Sequence, residues 1–463
     1  MPDIQQCMKQ KDAIDFGKTD ISRLYTSIFI PTLLGLMSGA TVYLADGIFV
    51  GHGVGSDALA AVNIASPLFL ISTGLALMFG SGVSIVVAIH LSRGNYKAAN
   101  INVTQAIAIS IMLMLLVSVL VILFPGTIAS WFGSSQKLMP TVVEYLVYVT
   151  PSFLGSMILV VGMFIIRLDG SPNFAMASNI IASILNIILI YIFVFPLNMG
   201  LKGAAIATSI AQWLGAVMVI IYMIWFSKTL HLYKLKFSKK AYRLTIRNTG
   251  YVVKLGGSAF IGETAMACTM IIGNTLFMKH LQEDGVAAFS VACYIMPVVF
   301  MFGNAVAQSA LPIISYNYGL GNESRIRYTF HISLKIAVIF GLVVTLAGIF
   351  AKHQVVAIFI KNGENAHNLA ANGFIYYSLG FIFLLVNLVL IGYFQSLERF
   401  KPATVFMFLR SYIFVIPSFL VLPIFFGTDG LWLAVPASEF LTFTIIMFCM
   451  SVQKKEKAVS FSK

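Results

Sequence analysis

Four carboxylates fall inside long apolar stretches of this chain: Asp46, Glu144, Glu263 and Glu439. A charged side chain at the middle of a bilayer costs on the order of 2.5–3.5 kcal/mol on insertion scales, so an acid placed there is a functional candidate by default. The chemistry such a group offers is ion exchange. Asp46 lies in YLADGIFVG, where apolar neighbours disfavour its charged form. It can therefore load and unload a proton, or trade that proton for sodium. Glu263, in SAFIGETAMA, stands about 12 Å into its apolar stretch at 1.5 Å per residue. It has no cation within a helical turn, so it faces a cleft or pairs across helices. Glu439 has a structural alternative, an ion pair with Arg410. Glu144 lies near an interface and is expected to be solvated.

Other chemistries find no residues to carry them. The seven histidines, at 52, 90, 231, 280, 331, 353 and 367, are scattered singly in loops and near helix ends. There is no HExxH, no clustered His and Asp, and no Walker sequence. Cys7, Cys268, Cys293 and Cys449 are dispersed with no pairing or ligand spacing, and read as small packing residues. An integral-membrane enzyme is thus the weakest reading. The expectation is no enzyme, no catalytic residue and no cofactor beyond a coupling ion.

The elements that hold these acids follow from composition. A chain of 463 residues that is 59% hydrophobic and 10% charged is far from the roughly 25% charged usual in soluble domains. About 20 apolar residues span a bilayer as a helix, because hydrocarbon leaves backbone groups no other partner. Twelve such windows are legible, near 28–50, 60–90, 101–124, 141–166, 174–196, 201–226, 255–279, 286–313, 328–350, 371–394, 403–424 and 430–451. Pro31, Pro67, Pro151, Pro297, Pro312, Pro417 and Pro436 lie in or at the ends of these windows, where each allows a kink. Glycines such as Gly35, Gly39, Gly74, Gly80 and Gly82 permit close helix approach.

Charge sets the orientation. With loops assigned alternately from a cytoplasmic N-terminus, the cytoplasmic segments hold 23 of the 30 Lys and Arg. The other side holds Lys137, Lys202, Lys279, Lys352 and Lys361, and Lys335 and Arg410 remain inside helices, away from their ends. The positive-inside rule then places both termini in the cytoplasm. About 25 mixed-charge residues precede the first window, so that helix is expected to act as the insertion signal. The net charge of +13 reflects these loops and implies contact with anionic lipid, not nucleic acid. Its densest segment is 227–254, with eight basic residues and no acid.

The chain also repeats itself. Asp57, Ala60, Ala61 and Ala65 return 227 positions later as Asp284, Ala287, Ala288 and Ala292, and Gly94-Asn95 as Gly321-Asn322. At an offset of 230, Pro172, Gly200, Leu201, Ala204 and Ala207 return as Pro402, Gly430, Leu431, Ala434 and Ala437. A near-constant offset marks a duplicated architecture. Six windows per half give both halves the same orientation, so two six-helix bundles related by a pseudo-two-fold axis along the membrane normal are expected. The predicted organisation is a cytoplasmic segment (1–27), an N-lobe (28–226), a basic cytoplasmic linker (227–254), a C-lobe (255–451) and a tail (452–463). Duplicated membrane halves of this kind are the plan of secondary transporters.

Several runs resemble the multidrug and toxic compound extrusion (MATE) transporters of bacteria over roughly 20–450, which implies a multi-pass protein of a bacterial inner membrane. They are Asp46-Gly-Ile-Phe-Val-Gly followed by ALAAVNIASP (58–67), RLDGSPNFAMASNIIASILNIIL (167–189), GLKGAAIAT (200–208) and AQSALPIISYNYGLGN (307–322). The resemblance implies an N-lobe cation site built from an Asp on helix 1, an Asn and an Asp one turn apart on helix 5, and a Thr on helix 6. Asp46, Asn186 and Thr208 match; the second acid falls at Ile190 and is missing. One carboxylate with neutral oxygens holds sodium more weakly than two. A sodium site at Asp46, Asn186 and Thr208 is therefore implied in weakened form, with a proton as the other coupling ion. Glu263 occupies a place similar to a helix-7 Glu tied to coupling in some members.

What the resemblance implies is an antiporter. A proton or sodium ion enters, and an organic, cationic drug or toxic metabolite leaves by alternating access, from a monomer. The 21 Met and 38 Phe suit a site that accepts many shapes and cations. A flippase for a lipid-linked sugar, or an exporter of a native metabolite, is the alternative. Such flippases carry several cavity cations, whereas in this chain only Lys335 and Arg410 lie away from the ends of its windows.

Overall fold

The computed structural model describes residues 16–54, 56–132, 134, 136, 138–234, 238–360 and 365–461. Cys7, Lys137, Lys236 and Lys361 lie outside these residues, as does most of the N-terminal segment; side chains are not described at His52, Asp57, Ala60, Lys240 or beyond Val452. The described residues form helices joined by short turns: α1 (Ile21–Gly53), α2 (Ser56–Ser92), α3 (Tyr96–Leu123), the short α4 (Pro125–Trp131), α5 (Met139–Leu168), α6 (Pro172–Val194) and α7 (Gly200–Ile221). Then come α8 (Lys239–Gly319), α9 (Glu323–Phe350), the short α10 (Lys352–Ala357), α11 (Asn365–Ser378), α12 (Gly380–Ser396), α13 (Phe400–Phe408), α14 (Val415–Phe426) and α15 (Thr428–Phe461).

Among the described residues eleven stretches are long and apolar enough to span a bilayer, and α11 with α12, bent by 40° at Leu379, makes a twelfth if the pair is one span. The predicted windows and these spans correspond one to one. α8 supplies two of them, Ala241–Gln282 and Asp284–Gly319, because the chain breaks at Gln282, whose φ is 55°. The helix that carries Glu263 begins earlier than its apolar window: Ser238 caps it by accepting from the Ala241 N–H at 3.1 Å. Residues 239–254 of the predicted linker are therefore helical.

The repeated Gly-Asn pair has a mechanical reason. Asn95 donates its N–H to the His90 carbonyl and Gly94 to that of Leu91, a helix-closing pattern that needs a residue tolerant of positive φ. Gly94 supplies φ 69°. The Asn95 side chain then caps the next helix through the Ala98 N–H. In the second half Gly321 (φ 72°) and Asn322 repeat each bond, to Tyr318, to Asn317 and from Arg325. The same two residues end one span and start the next in both halves.

The contacts divide into two compact units. One comprises the chain up to Thr264 with Leu311–Thr329 and Ser396–Glu398; the other comprises Ala265–Ala310, Phe330–Gln395 and Arg399 onward. In the first unit α2 and α5 are the most buried spans, while α3 turns Met112, Leu116 and Leu123 outward, as lipid-facing positions require. α5 packs against α7 at unusually close range. A Cβ at Gly155 would stand 2.9 Å from the Gln212 backbone, and one at Gly162 would collide with Val219. The absence of side chains permits that approach, and dispersion rewards it in lipid.

Candidate ion-coupling site

Asp46 belongs to α1, which packs along α6. Three contacts fix the register of the pair. The Asn179 amide donates to the Gly35 carbonyl at 2.6 Å. The Ser183 hydroxyl donates to that of Ser38 at 3.3 Å. Further along, Phe49 meets Tyr191 and Phe195 with ring centroids 6.2 and 6.0 Å apart. Residue numbers rise together on both helices, so the two run parallel. Asp46 falls between the Ser38 and Phe49 levels, opposite the α6 stretch that contains Asn186 and Ile190. Both of those side chains are buried, at 2% and 1% exposure.

Asn186 and Thr208 are in direct contact. The amide donates to the Thr208 hydroxyl at 3.2 Å, and that hydroxyl donates to the Ala204 carbonyl at 3.1 Å. Because Thr208 spends its one proton on Ala204, it can only accept from Asn186. The Asn186 carbonyl is thereby turned elsewhere, and its buried oxygen meets no hydrogen-bond donor among the described residues. One carboxyl oxygen of Asp46 is in the same condition. A buried acceptor left unsatisfied costs about 1–3 kcal/mol, more if charged. Two such oxygens on adjoining helices make a donor-poor, oxygen-rich environment that a proton on Asp46 or a small hard cation would relieve.

Ile190 puts a buried hydrocarbon where a second acid would face the same level. The candidate set thus comprises one carboxylate, one amide oxygen and one hydroxyl oxygen, with Asn186 and Thr208 in direct contact. Glu263 stands elsewhere in the same unit. It and Phe260 flank Gly74 of α2, with the Glu263 Cβ 3.4 Å from the place a Gly74 Cβ would take. No hydrogen bond among the described residues joins it to the other three candidates. Glu144 is exposed, as expected.

The Glu439 carboxylate accepts from the Arg410 Nε at 2.6 Å, with exposures of 3% and 5%. The alternative read from the sequence, a structural pair, is the one the second unit adopts. Sequence reasoning passed over Asn387, whose amide donates to a Glu439 carboxyl oxygen and to its backbone carbonyl, each at 2.8 Å. A polar residue in the strongly apolar run GFIFLLVNLVLIGYF was the available signal.

Arg167, one of the 23 cations assigned to cytoplasmic segments, is 4% exposed at the end of α5. The adjacent Asp169, 2% exposed, gathers four donors. They are the Tyr222 hydroxyl at 2.8 Å and the N–H groups of Lys228, Thr229 and Leu230 at 2.7–2.8 Å. This carboxylate anchors the chain as it leaves the π-helical turn Tyr222–Phe226, so its role is structural.

A family profile described as MatE matches residues 31–192 and 261–420, one match in each half. A curated FAD transporter from Shewanella oneidensis is 26% identical over 339 residues, 71% of this chain and 72% of that protein. The multidrug export protein MepA of Staphylococcus haemolyticus is 22% identical and covers 97% of both chains. Among solved structures, a MOP superfamily transporter from Pyrococcus furiosus superposes with a TM-score of 0.86 at 19% identity, covering 96% of this chain and 98% of that one. The Vibrio cholerae MATE transporter VcmN gives 0.85 at 18% identity, over 95% and 97%. The all-helical membrane fold expected from the sequence is the fold of these transporters.

Proposed function

Because this chain belongs to the MatE family, a family of membrane transporters and not of enzymes, we propose that it is a cation-coupled antiporter exporting organic, cationic drugs or toxic metabolites. The coupling ion is a proton or sodium acting at Asp46, with Asn186 and Thr208 beside it and Glu263 as a second acid. One observation carries this reading: among the described residues one buried Asp46 oxygen and the buried Asn186 oxygen both lack donors, on helices packed against each other. Loading the site satisfies them and favours inward packing of α1. A ligand shifts a conformational equilibrium only through such differential affinity.

With a single carboxylate and Ile190 in place of a second acid, protonation fits the site better than sodium does. A substrate path passing the acids Asp46 and Glu263 would favour positively charged solutes, consistent with the multidrug export protein MepA among its relatives. The FAD transporter among them supports a second reading, export of a native metabolite. Everted vesicles separate the two. Cationic dyes or quinolones added to energised vesicles should collapse the pH gradient, with a smaller effect of sodium. A response to flavin nucleotides and none to cations would establish the second reading instead.

A further inference from the structure

His353 and His367 are 14 residues apart in sequence, on α10 and α11 of the second unit, and neither takes part in the proposed transport chemistry. Their rings lie nearly parallel, at 15° with centroids 5.5 Å apart. His353 Nδ1 stands 3.3 Å from His367 Nε2. The other nitrogen of His367, Nδ1, is 3.2 Å from the Ile360 carbonyl oxygen. A carbonyl only accepts, so Nδ1 carries the proton and donates. The neutral ring then presents the lone pair of Nε2 toward His353. An imidazole whose far N–H is held by a backbone carbonyl is the arrangement that orients metal-ligating histidines.

We propose that His353 and His367 form an open two-imidazole site for a borderline transition-metal ion of the Zn2+ class. Two nitrogens, each about 2.0–2.1 Å from a tetrahedral ion, stand about 3.3–3.4 Å apart, which is the separation found here. His367 is the fixed ligand, 3% exposed. His353 is exposed and free to turn. In the ion-free pair its Nδ1–H donates to His367. To bind, the proton moves to Nε2 on the solvent side, and a small rotation brings the Nδ1 lone pair to converge with that of His367. Imidazole nitrogen selects zinc, nickel or copper over magnesium or calcium.

The neighbouring cation is occupied, since the Lys352 ammonium donates to Asn372 Oδ1 at 3.3 Å. No group of three His, Cys, Asp or Glu suited to a metal occurs among the described residues. With two protein ligands among the described residues, the proposed site keeps open coordination positions and is exchangeable rather than structural. Charge distribution assigns this connection to the non-cytoplasmic side, where the ion would tie α10 to α11.

The test is a Zn2+ titration of tag-free, full-length protein in detergent at a fixed pH near neutrality, read by calorimetry, with Mg2+ as the hard-ion control. One Zn2+ should bind, and His353→Gln and His367→Gln should each weaken binding about tenfold or more. Replacing the exposed His280 (His280→Gln) should change nothing. His353→Gln removes an exposed side chain, so its fold is retained and it decides the matter alone. Zinc binding equal in the wild type and His353→Gln, or no binding by the wild type, would overturn the assignment.

Discussion

Removing one partner of the Arg410–Glu439 pair should be among the most damaging single changes in the second half. The two charges are 5% and 3% exposed and 2.6 Å apart, and the Asn387 amide holds the second carboxyl oxygen. Stripping the acid in Glu439→Leu leaves a guanidinium with no counter-charge at that depth. Breaking such a buried pair costs about 3–5 kcal/mol, whereas exchanging both members for apolar side chains is close to neutral or stabilising. Arg410→Met with Glu439→Leu should thus regain most of what either single change loses. Denaturation of the purified protein in detergent, followed by fluorescence, reads both quantities. If the double variant instead loses the sum of the two single losses, the pair is not the buried, mutually dependent unit described here.

Other outcomes follow from the same geometry. Gly155→Leu forces a side chain into the Gln212–Trp213 backbone and should destabilise the α5–α7 contact by about 1–3 kcal/mol or more, read as a lower unfolding midpoint. Ile190→Asp adds a second carboxylate at the Asp46 level and should raise the sodium dependence of export, measured by comparing transport with and without a sodium gradient. The Arg325 guanidinium donates to the Phe16 and Thr19 carbonyls at 3.0 and 2.7 Å and, through Nε, to Asn317 at 3.1 Å. Arg325→Gln should therefore loosen the strap ahead of α1 and speed proteolysis between residues 16 and 20, with the helices intact by circular dichroism.

The spans and the duplication were legible because lipid leaves little freedom. A run of twenty apolar residues has one stable backbone solution, and a repeated Gly-Asn turn repeats its hydrogen bonds. The bend at Leu379 was hidden inside one apolar window, since it needs neither a proline nor a change in hydropathy, whereas the break at Gln282 falls in the polar gap between the windows 255–279 and 286–313. Asp46 and Glu263 stood out through the energetic penalty of burying an acid. Asn387 and Asp169 did not. Asn387 looks inert until Glu439 is packed against it, and Asp169 reads as an ordinary turn residue until residues 228–230 fold back over it. Asn186 and Thr208 entered only by family resemblance, yet their mutual bond arises simply because α6 and α7 pack together. Polar partners across helices are set by packing, which spacing along one helix does not reveal.

The central claim is that Asp46 links the ion to lobe movement. On insertion scales, burying its charge costs on the order of 2.5–3.5 kcal/mol, equivalent to a bias of roughly a hundredfold between loaded and empty states. Asp46→Asn keeps the size and removes the titratable group. The decisive measurement is substrate-driven proton and sodium flux in everted vesicles containing equal amounts of wild-type protein and Asp46→Asn. The account predicts normal insertion, folding at least as stable as wild type, and loss of coupled flux. Flux that persists unchanged in Asp46→Asn would contradict it and move the coupling to Glu263.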